Sequence, residues 1–209
     1  MDTELINIFD DNKKQIGVAT RKDVHTFGYW HESFHCWFIG REKENDYIYL
    51  QLRSEVKSDY PNLLDITAAG HIMSNETVTD GIREIKEEIG IDLTIDELES
   101  LGVVDYVVIN DNFIDKELAS VYLYRYNSTF DEFILQKEEV SGIFKAEFND
   151  FCALWYGEKS HINVEGFIID PKGNRVMANK VVGEKEFVPH EKSFYQTIVK
   201  LISEKLNGE

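Results

Sequence analysis

Residues 70–91, GHIMSNETVTDGIREIKEEIGI, are where the hydrophobic period of the chain changes from that of strands to that of a helix. Val78, Ile82, Ile85 and Ile89 recur at helical spacing and share one side of a cylinder that turns roughly 100° per residue. Thr77 with Asp80 three residues on resembles a capping box, with Asp in place of the usual Glu. Gly90 supplies a C-terminal stop, so the pattern predicts a helix over 77–90. Asp80, Glu84, Glu87 and Glu88 fall together on roughly the opposite side. Like charges at i,i+3 and i,i+4 each cost about 0.2–0.5 kcal/mol on an isolated helix. A helix that stacks several of them opposes its own stability unless a counter-charge sits there. Arg83, four residues before Glu87, neutralises one carboxylate; the remainder suit hard divalent cations, which take oxygen ligands. The competing reading is a merely solvated acidic face in a chain that is acidic throughout.

Working outward, LINIFD (5–10) and IGVAT (16–20) read as strands joined by a turn at DDNKKQ. SFHCWFIG (33–40) suits a strand. In DYIYLQLR (46–53), Tyr47, Tyr49 and Gln51 alternate with Ile48, Leu50 and Leu52, the period of two expected of a strand with two different faces. LLDITAAG (63–70) reads as a strand running into the quoted segment. Further strands are expected at 101–109, 117–126 and 140–147, a short helix near NDFCALWYG, and an amphipathic helix from His190 to Leu206 carrying Phe194, Ile198, Leu201 and Ile202. Strands interspersed with helices point to an α/β or α+β sandwich. Three prolines, no Gly/Ser-rich linker and no repeat favour one domain over 1–209: a core at about 30–150, N-terminal strands within 1–29 and an extension at 151–209.

The 22 Lys and Arg against 39 Asp and Glu leave a formal net charge of −17. Such a chain repels nucleic-acid backbones and anionic membranes and makes divalent cations plausible partners. Cys36 and Cys152 have no CxxC neighbour, so neither a disulfide framework nor a zinc knuckle is expected. The opening residues lack a signal-peptide pattern, and no window approaches the roughly 20 apolar residues of a membrane span. A reduced, cytoplasmic protein is the expectation.

The quoted segment resembles the signature of the Nudix hydrolases: Gly, five residues, Glu, seven residues, then Arg-Glu-apolar-any-Glu-Glu-any-Gly-apolar. Arg83-Glu84-Ile85-Lys86-Glu87-Glu88-Ile89-Gly90-Ile91 matches the second half, and Gly70 and Glu76 match the first. Six residues, not seven, separate Glu76 from Arg83. More widely, over about 5–150, the chain is similar to the branch that includes type I isopentenyl-diphosphate isomerases, on VHTFGYWHESFHCWFI, YLQLRS, LLDITAAGH and IDKELASVYLY (114–124). The resemblance implies an α/β/α sandwich with a mixed sheet and a C-terminal helical appendage. It implies that Glu84, Glu87 and Glu88, with the Gly70 carbonyl and Glu117, hold Mg²⁺ or Mn²⁺, that Glu87 or Glu88 serves as general base, and that Arg83 orients a glutamate. The reaction implied is hydrolysis of a diphosphate bond in a small molecule, for which a homodimer would be ordinary.

His25, His31, His35 and His71 form a second group, each readable as an isolated strand or loop histidine. In the isomerases, two histidines of the first segment and one after the glycine strand bind a metal with two acids. By that resemblance His25, His31 and His71 are the counterparts, with Asp115 and Glu117, in a site of mixed nitrogen and oxygen ligands. Isomerisation needs an acid/base pair, and that family places a cysteine just before the histidine of the glycine strand. Here Ala68-Ala69-Gly70 precede His71, and Cys36 lies on a different strand. Hydrolysis is therefore the leading reading, isomerisation the alternative. A non-catalytic sensor ranks third, since the signature carboxylates are intact.

Phe27, Tyr29, Trp30, Phe34, Trp37 and Phe38 are expected mainly in the core, with one or two free to stack on a base or line a pocket. Arg41, Arg53 and Lys57 are expected chiefly on the surface. Glu138 and Glu139 resemble an architectural strand entry of the family. Residues 150–209 carry no catalytic pattern, and Pro189-His190 reads as a helix start.

Overall fold

The computed structural model describes residues 4–110 and 113–208. Strands β1 (Leu5–Phe9) and β2 (Gln15–Thr20) form a hairpin leading into helix α1 (Arg21–Phe27). Then come β3 (Trp30–Glu42), β4 (Asn45–Arg53), β5 (Leu64–Asp65), β6 (Ala68–His71), α2 (Arg83–Ile89), β7 (Glu99–Asn110) and β8 (Phe113–Arg125). The chain ends with β9 (Val140–Glu147), α3 (Phe148–Tyr156), β10 (Ile162–Ile169), β11 (Arg175–Val182) and α4 (Lys192–Asn207).

The long strand β3 organises the sheet. Along one edge it runs parallel to β8, from Trp30 opposite Lys116 to Ile39 opposite Arg125. Its other edge is shared: Ser33–Cys36 pair antiparallel with β6, and Phe38–Glu42 with β4. Beyond β4 the sheet continues through β9 and β10 to β11. Where β4 leaves β3, Thr67 fills the gap. Its hydroxyl donates to the Tyr49 carbonyl at 2.6 Å and accepts from the Phe38 N–H at 3.0 Å, so buried backbone groups that lose their strand partner still find one.

The alternation in β4 sorts onto the two faces as expected. Ile48, Leu50 and Leu52 join Trp37 under α3 and α4, against Phe151, Leu154, Trp155, Phe194 and Ile198. On the opposite face Tyr49 packs with Phe34, Cys36 and Phe38 beneath Ile85 and Ile89 of α2. The result is a mixed sheet between helices on both sides, an α/β/α sandwich.

Several boundaries differ from the sequence expectation. The strand expected at 63–70 divides into β5 and β6 around Ile66-Thr67. The helix expected at 77–90 begins as a 3-10 turn, Val78–Ile82, and becomes α-helical only at Arg83. A 3-10 turn advances about 120° per residue rather than about 100°, so Asp80 leaves the carboxylate face, while its expected capping-box bonds to Thr77 are present. Helix α1, whose short sequence buries only Val24 and His25, was not expected. Nor was the β10–β11 hairpin, because Val176, Met177 and Val181 of β11 remain exposed and blur the pattern. The extension thus contributes two strands as well as helices. No described helix is long and apolar enough to cross a membrane.

Ile85 is fully buried between α2 and the sheet. Ile85→Ala is expected to cost about 2–5 kcal/mol in urea unfolding through lost burial and a residual cavity. Exposed Lys86→Ala should cost far less; equal losses would contradict this packing of α2.

Candidate active site

Helix α2 lies over β6, and the approach is close enough to require glycine. A Cβ added at Gly70 would overlap the Glu84 carboxyl group, so the missing side chain is what lets that carboxylate rest against the strand. One turn on, Glu88 is buried and accepts from the Ala69 N–H and the Gln51 Nε2, both at 3.1 Å. Arg83 ties the turn together. It bonds Glu76 through Nε at 2.6 Å and Nη2 at 3.1 Å, Glu84 at 2.5 Å, Glu87 at 3.0 Å, and the His71 carbonyl at 3.2 Å. Despite the shortened spacer, Glu76 is thus a direct partner of Arg83. Helix α2 ends at Gly90, in the left-handed conformation at φ 78°. Glu87 is 54% exposed and turns toward Arg83, apart from the buried Glu88.

A second centre forms where β3 and β8 run parallel, which sets His31 opposite Glu117. His25 arrives from the last turn of α1 and His71 from the end of β6; the ring centroids of His25, His31 and His71 lie 5.0–5.2 Å apart. One potential ligand atom from each of the three lies within 4.8 Å of the others, as does one from each of His31, Asp115 and Glu117. His25 Nδ1 donates to the Arg21 carbonyl at 2.8 Å and His31 Nδ1 to the Tyr29 carbonyl at 3.2 Å. Both Nε2 atoms therefore face Asp115 Oδ1, at 3.5 and 3.4 Å. In neutral rings those Nε2 atoms carry lone pairs, so a proton or a cation must lie between them and the carboxylate. His31 Nε2 and Asp115 Oδ1 are buried and have no hydrogen-bond partner among the described residues. Glu117 is held from behind: its Oε2 accepts from Ser33 Oγ and, at 3.1 Å, from His35 Nε2.

Both centres open into one cavity of about 380 Å³. The sequence-derived residues Gly70, His71, Arg83, Glu84, Glu87 and Glu88 line it, as do His25, Asp115 and Glu117. Arg53 and Lys57 also reach it, each already ion-paired, Arg53 with Asp65 at 2.8 Å and Lys57 with Glu139 at 2.5 Å. Glu138 and Glu139 line it too, whereas Arg41 lies outside, on an exposed pair with Asp46. The aromatic residues at the cavity are not those singled out in the sequence but Tyr60, Tyr106 and Phe113; Phe34, Trp37 and Phe38 are core, and Phe27 is exposed. His190 is not a helix start. It precedes α4 and lines the cavity, 3.4 Å from Asp65. Gln51 could have been found as a polar residue in an otherwise apolar strand. Nothing local marks Asp65, Tyr106 or His190.

The electrostatics are those of a site with surplus negative charge. Burial, then the neighbouring Glu88 carboxylate, push the Glu84 carboxyl up to about 8, against the pull of Arg83. Burial pushes Glu88 up to about 7, opposed by Lys57 and the Ala69 N–H. Burial and the Glu117 charge raise Asp115. Glu117 itself falls well below the usual carboxylate range, because its bond to His35 and the charges of His35 and His31 outweigh burial. Burial and the neighbouring His31 hold His71 well below the ordinary histidine value, while Asp115 outweighs burial and raises His25.

The NUDIX domain family model matches residues 17–164, most of the chain. The protein is 35% identical over 202 residues to an uncharacterized Nudix hydrolase of Clostridium acetobutylicum, a match covering 97% of this chain and 98% of that one. An isopentenyl-diphosphate isomerase of Photorhabdus laumondii is 27% identical over 139 residues, covering 66% of this chain and 74% of its own. The crystal structure of DR0079 from Deinococcus radiodurans has the same fold, with a TM-score of 0.56 at 19% identity over 75% of this chain and 91% of its own. The chain belongs to the Nudix hydrolase family, with a weaker likeness to its isomerase branch.

Two outcomes follow from this geometry. Because the folded protein holds protons on Glu84 and Glu88 above the ordinary value of 4.5, their contribution to stability is complete below that value and is lost as pH rises through about 7–8. Without divalent cations, the melting temperature should fall between pH 5 and pH 8, and less steeply when Glu84→Gln and Glu88→Gln are combined; equal slopes would refute the buried charge. Gly70→Ala should displace the Glu84 carboxylate and weaken Mn²⁺ binding by calorimetry, with folding retained. Unchanged affinity would show that this close approach does not shape a cation site.

Proposed function

We propose that the protein is a divalent-cation-dependent pyrophosphohydrolase that cleaves the diphosphate bond of a small, nucleoside-diphosphate-like molecule. One observation carries this reading: Glu84, only 14% exposed, and the buried Glu88 stand on consecutive turns of α2 beside a cavity, with Arg83 bonded to the first and no side-chain cation among the described residues bonded to the second. Burying an unpaired carboxylate is costly, so the cluster calls for a cation. An all-oxygen donor set suits Mg²⁺ or Mn²⁺. Glu84, Glu87 and Glu88, with the Gly70 carbonyl and Glu117, would hold the ion. The bound ion would offset phosphate charge and lower the pKa of a water.

The protein's own groups do the rest. Arg83 clamps Glu76, Glu84 and Glu87 and so sets the spacing of the carboxylates. Glu88, fixed by Gln51 and the Ala69 N–H at the cavity wall, is better placed than the outward-turned Glu87 to take a proton from the attacking water. The histidine centre, with nitrogen and oxygen donors from His25, His31, His71, Asp115 and Glu117, suits a second divalent cation, for which a transition-metal ion such as Mn²⁺ is a better match than Mg²⁺. With a net charge of −17, the expected partner is a small ligand carried with its cations rather than nucleic acid.

A panel of diphosphate compounds assayed with Mg²⁺ or Mn²⁺ tests the reading. Turnover should require the metal, and Glu88→Gln should lower kcat by about 10²–10⁴-fold with the fold intact. Metal-independent turnover, or full activity in that variant, would remove α2 from the chemistry.

The assembled histidine centre favours one alternative, isomerisation of an isopentenyl diphosphate. Against it, Ala69 stands near the strand end where a thiol would be needed, and Cys36 is fully buried in the core facing α2. Incubation with isopentenyl diphosphate separates the two: phosphate release supports hydrolysis, and formation of the allylic isomer supports the alternative.

A further inference from the structure

His31, Ser33 and His35 alternate along β3, so their side chains project from the same face of the strand. The parallel register sets Glu117 of β8 opposite His31 on that face, and all four residues are buried. Glu117 reaches along this row. Its Oε2 accepts from Ser33 Oγ and, at 3.1 Å, from His35 Nε2, and the two donor atoms stand 3.3 Å apart. The His35 ring is slotted between Tyr106, with centroids 5.9 Å apart, and Phe194 of α4, edge-on at 6.0 Å. Its other nitrogen, Nδ1, is buried without a hydrogen-bond partner among the described residues.

Stability does not account for this arrangement. A buried imidazole satisfied at one nitrogen, beside a buried acid, is less favourable than apolar side chains of similar volume. The two donors do have one specific effect. Both fall on the same oxygen and take up its two lone pairs, so Oε1 is the oxygen of Glu117 left for a further partner. A potential ligand atom of Glu117 lies within 4.8 Å of those of His31 and Asp115. There, His31 Nε2 and Asp115 Oδ1 are buried and lack hydrogen-bond partners among the described residues. Donation by His35 does not depend on the charge of its ring. Nε2 faces a carboxylate, which only accepts, and carries a proton in the neutral and the protonated ring alike.

Resting on the reading above of a second cation at the histidine centre, we propose that Ser33 and His35 are positioning residues that hold Glu117 as a one-oxygen ligand, and so select a transition-metal dication over Ca²⁺. Hydrogen-bonding partners behind a ligating carboxylate fix its orientation and tune the ion it takes. Ca²⁺ gathers roughly six to eight oxygens and often draws on both oxygens of one carboxylate. With Oε2 engaged by Ser33 and His35, Glu117 does not supply the second. A dication that accepts imidazole nitrogen needs only the first, because His25, His31 and His71 supply other donors.

The test is calorimetric binding of Mn²⁺ and of Ca²⁺ to the full chain carrying Glu84→Gln and Glu88→Gln, a parent in which the carboxylate centre is disabled. The same titrations are run after adding Ser33→Ala, His35→Phe or His35→Gln. The parent should bind Mn²⁺ more tightly than Ca²⁺. Losing a donor, in Ser33→Ala or His35→Phe, should weaken Mn²⁺ binding about 10–100-fold. Ca²⁺ affinity should hold or rise, because the released Oε2 can turn to the ion. His35→Gln, which restores an N–H donor, should recover most of the Mn²⁺ affinity. A purely structural role would lower both cations together, and that parallel loss would overturn the proposal. So would unchanged Mn²⁺ affinity in Ser33→Ala and His35→Phe, or a parent that binds no Mn²⁺. Ser33→Ala removes only a hydroxyl, so its result decides the matter even where His35→Phe does not fold. Absent turnover of diphosphates by the wild-type chain, with this binding pattern intact, would count against hydrolysis alone.

Discussion

Two carboxylates held out of water on consecutive turns of one short helix are the constraint around which the molecule is arranged. Neither Glu84 nor Glu88 is placed by chance: the first rests where a glycine leaves no side chain, and the second is gripped by a strand amide and by Gln51. A protein does not bury acids this way for stability, because removing a charge from water costs more than a few hydrogen bonds return. Arg83 meets part of the imbalance, bonding Glu84 and Glu87 directly and Glu76 behind them. The remainder is an electrostatic demand, and it is the reason we propose a divalent cation there. The sheet, the 3-10 entry to α2 and the cap at Gly90 position that turn.

Strand β6 carries the connection between the two centres. Its four residues pair with β3, give the Ala69 amide to Glu88, leave room at Gly70 for Glu84, and end at His71 among the imidazoles. The His71 carbonyl also accepts from Arg83, so the backbone of the histidine site and the clamp of the carboxylate site are in contact. A displacement of β6 would disturb both, which makes the cavity one chemical environment rather than two adjacent ones.

The outer elements close this environment. Helices α3 and α4 cover the face of the sheet opposite α2, and Phe194 of α4 packs on both Tyr106 and His35, the residues next to Glu117. The extension therefore does more than seal the core. Through Val188 and His190 it supplies a wall of the cavity from a part of the chain that lies outside the residues matched by the family model.

The sequence by itself determined what depends on local periodicity and spacing: the two-faced strand β4, the apolar side of α2, the carboxylates three and four residues apart, and the stop at Gly90. These are set by the geometry of one element, and each survived with small shifts where a 3-10 turn or the Thr67 insertion altered the local pitch. Family resemblance extended that reading to His25, His31, His71, Asp115 and Glu117, which periodicity could not have joined. Only the tertiary structure decided that Glu88 is buried while Glu87 faces solvent, and that Gln51, Asp65, Tyr106 and His190 meet at the same cavity. Those placements arise from strand register and from the return of a distant segment along β5. Pairings of that kind are set by packing between elements far apart in the chain, and no short stretch of residues encodes them.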